Sequence, residues 1–397
     1  MSSSAQSSAT KRQTMSEQGL ASRAAGTQRI VEIDNFKSAL VAWVIGCHVL
    51  MGYTAIGGWP YDEVQETTLS PQLEYVLIVL LGPTALFAMG TFFFLAGFFA
   101  PQAISRLGPV RFAWSRLIRL GVPWILFTLL IWPFFMWLVY RAAGNDLSYW
   151  QAFRGRTPFL DSGPLWFVQV LLYVSLGYAL WTRLGWGRRL RPAAITGRHL
   201  VVVAVAIAAT SFVVRLWFPA RSQQILDLHL WQWPQCVGMF CLGAMVSGQG
   251  WAREIPAEIA RRCRIAVLVT LVAAIGLALV VVTNFARQEG LFLGGWRWQA
   301  VALDVVEASL VVAGSIALLA FAHRRLASES PILRGAARGA YCAFMMQVPV
   351  LLTLEIAARP LPIPAEAKAV LVGGLGILGS FAIGWFLVTR TSLRRIL

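Results

Sequence analysis

His48 is one of four histidines in a chain of 397 residues, and it lies inside the apolar run Leu40–Met51. An ionisable group in such a run is disfavoured unless it has partners or a task. An imidazole, with its ordinary pKa near neutrality, suits proton transfer. The plainer alternative is a histidine hydrogen-bonded to its neighbours for packing. Upstream, Asp34 and Lys37 are three residues apart and so share one helical face. Lys37 and His48 are eleven apart, about three turns and about 16 Å of rise, which puts both on one side of a helix with Lys37 at its entrance and His48 deeper. One cation to hold an anionic donor and one imidazole to handle a proton is the chemistry this spacing allows. Lys37 reads equally well as an interfacial lysine snorkelling to headgroups.

A second polar pair stands in a later apolar segment. Asp304 and Glu307, again three apart, put two carboxylates on one helical face inside a hydrophobic run. Either they line a polar cavity, or they pair with an arginine such as Arg215 or Arg297 as structural glue. The second reading is favoured slightly.

The elements that carry these residues are membrane helices. The chain is 57% hydrophobic and only 13% charged, with mean hydropathy +0.64, far from the roughly 25% charged fraction of ordinary soluble domains. Ten segments approach or exceed the length needed to cross a hydrocarbon core: 36–55, 73–100, 120–141, 163–181, 199–218, 231–249, 265–285, 299–322, 340–357 and 367–389. Of 34 Lys and Arg, 25 fall in the N-terminal tail, the even-numbered connections and the C-terminus, and 9 in the odd-numbered connections. The bias predicts an all-α integral membrane bundle of ten transmembrane helices with both termini in the cytoplasm. Gly82-Pro83 interrupts the second segment and predicts a kinked or broken helix there.

The same distribution explains the net charge of +16. Its basic residues sit in short clusters between hydrophobic runs, so they report orientation in a bilayer and not a nucleic-acid groove. Residues 1–30, rich in Ser, Ala, Gln and Thr, read as a disordered cytoplasmic tail ahead of one membrane domain over 31–397. Five scattered cysteines and four dispersed histidines have no metal-ligand spacing, so no metal site is expected. No nucleotide-binding loop, nucleophile elbow or HExxH helix occurs, so any chemistry belongs to the bundle.

Several segments resemble one family in order along the chain. Val31–Val49, VEIDNFKSALVAWVIGCHV, resembles the opening of membrane-bound acyltransferase family 3, in which an Asp is followed by a basic residue, ten spacers and a His. Thr91–Pro101, TFFFLAGFFAP, is similar to the family's FFFLSGF segment. Arg111–Pro123 resembles its cytoplasmic arginine pair with trailing proline, Gly163–Val168 its LWF segment, and Phe240–Ser247 its FLLGA segment. The chain departs from the family where Lys37 replaces the usual Arg, Ala96 a common Ser, and Gln347 a C-terminal His. An amide can orient a neighbour but cannot shuttle a proton, which leaves that burden on His48.

The resemblance implies transfer of an acyl group, usually acetyl, from acyl-CoA on the cytoplasmic side to a hydroxyl of a glycan or lipid-linked sugar. It implies a multi-pass protein of the cell inner membrane with no permanently bound cofactor. Coenzyme A is polyanionic, and Arg116 and Arg119 at the head of the third segment would bind its phosphates beside Lys37. His48 would act as general base or carry the acyl group, with Asp34 setting local charge at the helix entry. Trp166, Tyr341 and Gln347 would line the substrate cavity, although a packed role is the commoner reading of any single aromatic. The rival function is a proton-coupled secondary transporter, for which a membrane histidine, intramembrane carboxylates and a broken helix would form the site.

Overall fold

The computed structural model describes residues 30–395 apart from 55–57, 65, 67, 187–193, 223–227 and 283–288. The tail expected over 1–30 thus lies outside the described residues except for Ile30. The described residues form helices and no strand. The long helices are α1 Val31–Gly52, α2 Pro71–Leu107, α3 Pro109–Ala142, α4 Trp166–Arg183, α5 Gly197–Arg215, α6 Trp233–Val246, α7 Ala257–Val282, α8 Trp298–Arg325, α9 Pro331–Ala358 and α10 Ala365–Arg390. Each expected span has its helix.

Eight of them, all but α6 and α7, are long and apolar enough to cross a membrane by length and composition among the described residues. At 14 residues, α6 is about 21 Å long, shorter than a hydrocarbon core. Helix α7 runs for 26 residues up to a segment outside the described residues. Several helices begin earlier than hydropathy suggests because their starts are set by local chemistry. In α9, Pro331 occupies the first turn and the Ser330 hydroxyl accepts from the Leu333 N–H at 3.1 Å, which extends the helix through the polar stretch before residue 340. Only Gly108, at φ 75°, separates α2 from α3, a left-handed link that favours glycine.

The expected break at Gly82-Pro83 is not present: α2 is helical without interruption over 37 residues. Irregularity sits instead in α3, which contains π-helical turns at Leu117–Gly121 and Phe127–Ile131. Each is followed within two residues by a proline, Pro123 or Pro133, whose missing N–H removes a donor from the ladder. Side chains from elsewhere supply donors to carbonyls in these turns. The Tyr341 hydroxyl donates to the Arg119 carbonyl at 3.1 Å, and Arg156 Nη1 donates to the Thr128 carbonyl at 2.8 Å.

Helix α8 packs against α1, α2, α5 and α7, while α9 packs on α10 and α1. Polar ties between connections sort them into two ends. Glu66 meets Lys368, Arg359 meets the Ala142 carbonyl, and Ala220 N–H donates to Leu293 O at 2.7 Å, all joining odd-numbered connections or their helix ends. At the other end Asn35 Nδ2 donates to Leu326 O at 2.8 Å and Ser328 O at 2.9 Å, and Ile195 N–H donates to Gln249 Oε1 at 2.9 Å. The second set lies among the arginine clusters, so the sidedness of the loops follows the charge pattern.

The α2–α6 crossing brings backbone against backbone. A Cβ at Gly97 would collide with the Phe240 carbonyl, and one at Gly243 with the Phe94 carbonyl. The segments Thr91–Pro101 and Phe240–Ser247 are therefore two halves of one small-residue contact, the usual way for membrane helices to approach closely. Because the obstructing atoms are backbone, Gly243→Ala should destabilise the protein by roughly 1–3 kcal/mol. Thermal unfolding of the purified variant in detergent checks this, and an unchanged midpoint would refute the contact.

Candidate functional site

His48 reaches its place because α1 packs against α9, which carries Gln347. His48 Nδ1 lies 2.8 Å from Gln347 Oε1. An amide oxygen only accepts, so the neutral ring in this arrangement carries its hydrogen on Nδ1 and its lone pair on Nε2. Gln347 is 0% exposed, and its Nε2 has no hydrogen-bond partner among the described residues. On the ring face, the indole of Trp59 stacks on His48 with centroids 4.6 Å apart and planes within 16°. Trp59 Nε1 donates to Glu355 Oε2 at 2.9 Å.

Trp59 and Glu355 are absent from the sequence reading above. Glu355 had a usable signal, since it is a carboxylate inside the ninth apolar segment, subject to the same rule that singles out Asp304 and Glu307. Trp59 belongs to a connection and has no local periodicity to mark it.

Three turns back along α1, the Lys37 ammonium lies 3.6 Å from Asp34 Oδ1 and 4.5 Å from the centre of the Phe99 ring. Phe99 belongs to the phenylalanine-rich segment of α2, which is how that motif meets the α1 motif. Lys37 and Arg116 lie within electrostatic reach of each other, so their charges repel, as do those of Arg116 and Arg119. The Arg116 guanidinium lies over the Phe112 ring at 4.9 Å. Tyr341 is fastened to the same stretch of α3 by its hydrogen bond to the Arg119 carbonyl. Arg119 is exposed, and it meets Tyr341 through its backbone carbonyl. Trp166 keeps other company. It stacks on His229 at 4.6 Å, whereas its neighbour Phe167 packs edge-on against Phe344 of α9, 5.2 Å away and one turn from Gln347.

Asp304 and Glu307 of α8 both face Arg215, the last residue of α5. Arg215 Nη1 pairs with Asp304 Oδ1, and Nη2 with Glu307 Oε2 at 2.6 Å. The guanidinium is 1% exposed and lies 5.3 Å from the Trp231 ring centre. Of the two readings of the carboxylate pair, the structure carries the ion-paired one, with Arg215 as partner.

The site thus sets a half-buried imidazole about three turns along one helix from a lysine with arginines nearby. A family model described as an acyltransferase domain, that of acyltransferase family 3, matches residues 30–389. The chain belongs to this family of membrane acyltransferases. No curated protein matches it, nor does any solved structure.

The triad gives a test of structure against catalysis. Arg215→Met leaves two buried carboxylates unpaired and should cost about 3–5 kcal/mol, whereas Arg215→Met combined with Asp304→Leu and Glu307→Met should recover most of that loss. Unfolding midpoints of the two variants decide it. Failure of the triple variant to regain stability would show that the charges do more than hold α5 to α8.

Proposed function

We propose that the protein transfers an acetyl group from acetyl-CoA, bound at the cytoplasmic end, to a hydroxyl of a carbohydrate or lipid-linked acceptor at the inner membrane. The observation that carries this reading is the His48–Gln347 hydrogen bond, because it occupies Nδ1 and leaves Nε2 of the neutral ring as the nitrogen able to take a proton. Lys37 and Arg116, with Arg119 at the rim, hold the phosphates of the donor. Asp34 pairs with the Lys37 ammonium and holds it in place.

In the proposed step, Nε2 takes the proton of the acceptor hydroxyl as its oxygen bonds to the thioester carbonyl carbon. The carbon–sulfur bond then breaks, and the departing thiolate recovers the proton from His48. Gln347 cannot exchange a proton, so one imidazole serves as both base and acid. The pantetheine arm bridges the distance along α1 from the cations to His48.

The test is transfer of labelled acetyl from acetyl-CoA into lipid and glycan extracts by membranes expressing wild type or His48→Ala at matched levels. Labelling should appear with the wild type and fall by about 10²-fold or more in the variant. Wild-type membranes that label no more than empty ones would favour the transporter reading. At the donor end, Lys37→Met should raise the KM for acetyl-CoA about tenfold with kcat little changed, and Lys37→Arg should restore it. An equal fall in kcat with unchanged KM would place Lys37 elsewhere in the mechanism.

A further inference from the structure

Helix α9 touches the His48 imidazole twice, once directly and once through another ring. Gln347 holds the ring edge. Glu355, eight residues further along the same helix, holds the indole that covers the ring face. We propose that Glu355 is a positioning residue for acyl transfer: through Trp59 it keeps a flat cover on one face of His48. The proposal rests on the reading of His48 as the base.

Three observations support it. Trp59 is 3% exposed, and a buried indole N–H, which can only donate, needs an acceptor. Glu355 is 0% exposed and supplies that acceptor. The space for the pair is made by α1 itself. Gly52 is four residues beyond His48, on the same helical face. A Cβ at Gly52 would come within 2.8 Å of Glu355 Oε1 and 3.0 Å of Trp59 Cδ1.

The connection that carries Trp59 is also fastened. The Tyr61 hydroxyl donates to Glu66, and Lys368 Nζ bonds Glu66 and, at 2.9 Å, the Arg359 carbonyl. Leu69 N–H donates to Tyr53 O at 2.8 Å. Burial, and then the hydrogen bond to Glu66, push the Tyr61 hydroxyl above its ordinary pKa, so it remains a donor.

A cover so held does two things to a general base. It excludes water from one face of the ring, and it confines an incoming hydroxyl to the free edge at Nε2. Loss of the cover should therefore lower kcat and leave donor binding alone, since orientation at the reacting atom is what is lost.

The experiment uses the full-length protein in nanodiscs and reads the rate at which diethyl pyrocarbonate modifies His48, located by mass spectrometry, with His199 as the internal reference. Glu355→Ala should speed modification of His48 about tenfold relative to His199, and Glu355→Gln, which keeps an oxygen for the indole, should stay near the wild-type rate. Trp59→Ala, which leaves α9 intact, should match Glu355→Ala and stands in for it if that variant does not accumulate. In the acetyl-transfer assay, kcat should fall about tenfold in Glu355→Ala, with KM for acetyl-CoA unchanged and kcat largely recovered in Glu355→Gln. An unchanged His48 rate in both alanine variants would overturn the proposal whatever the transfer assay shows. Absence of transfer by the wild type would count against the acyltransferase step alone, because the modification rate reads the Glu355–Trp59–His48 coupling without it.

Discussion

A polar group carried into a membrane bundle has no water to bond, so its partner must come from its own helix or arrive with it on another segment. The polar ties of this chain follow that constraint. His48 comes with Gln347, the Trp59 indole with Glu355, and Arg215 with Asp304 and Glu307. Thr91 of α2 meets Ser315 of α8 at 2.8 Å. Even the carbonyls in the π turns of α3 are met by Tyr341 and Arg156. Each bond joins segments distant in sequence, so the groups available for chemistry are also those that fix how the helices pack. Helix α9 is the clearest case, since Tyr341, Gln347 and Glu355 tie it in turn to α3, α1 and the connection after α1.

The constraint also decides how much could be read from sequence. The helices themselves were legible, because twenty apolar residues in a row leave few alternatives. Their ends were less so. The starts of α9 and α3 depend on Ser330, Pro331 and Gly108, which are local features that a hydropathy window averages away. Of the kinked or broken helix expected at Gly82-Pro83, the break is absent for a related reason. A proline does not dictate a break; it removes one donor, and whether the helix yields depends on its neighbours. In α3 the backbone yields near Pro123 and Pro133, and donors from α9 and from Arg156 are on hand to accept the result.

Within the site, spacing on one helix was legible and pairing between helices was not. Lys37 and His48 follow from counting turns, as does the carboxylate pair of α8. The choice of Arg215 over Arg297 required knowing that α5 packs against α8. Trp59 and Glu355 stand 296 residues apart, and neither position predicts the other without the fold. Trp166 shows the converse, a residue marked by its motif whose ring is stacked on His229 and not on the imidazole of α1.

The two departures from the family pattern that bear on the site lie at opposite ends of the same path. Lys37 gives up the guanidinium fork for a point charge, yet Arg116 stands close enough to feel that charge and supplies a fork of its own. The Phe99 ring beneath the ammonium and Asp34 beside it limit where the point charge can go. At the other end, a histidine in place of Gln347 would compete with His48 for one proton, and the two rings would titrate as a pair. The amide has no such freedom. It does not titrate, so in the proposed reaction the state of Nε2 is set by His48 alone. In the proposed reaction, donor binding at the entrance is thereby shared between two cations, while proton transfer is concentrated on a single ring. That arrangement makes the orientation of that one imidazole the property that the surrounding helices have most reason to hold fixed.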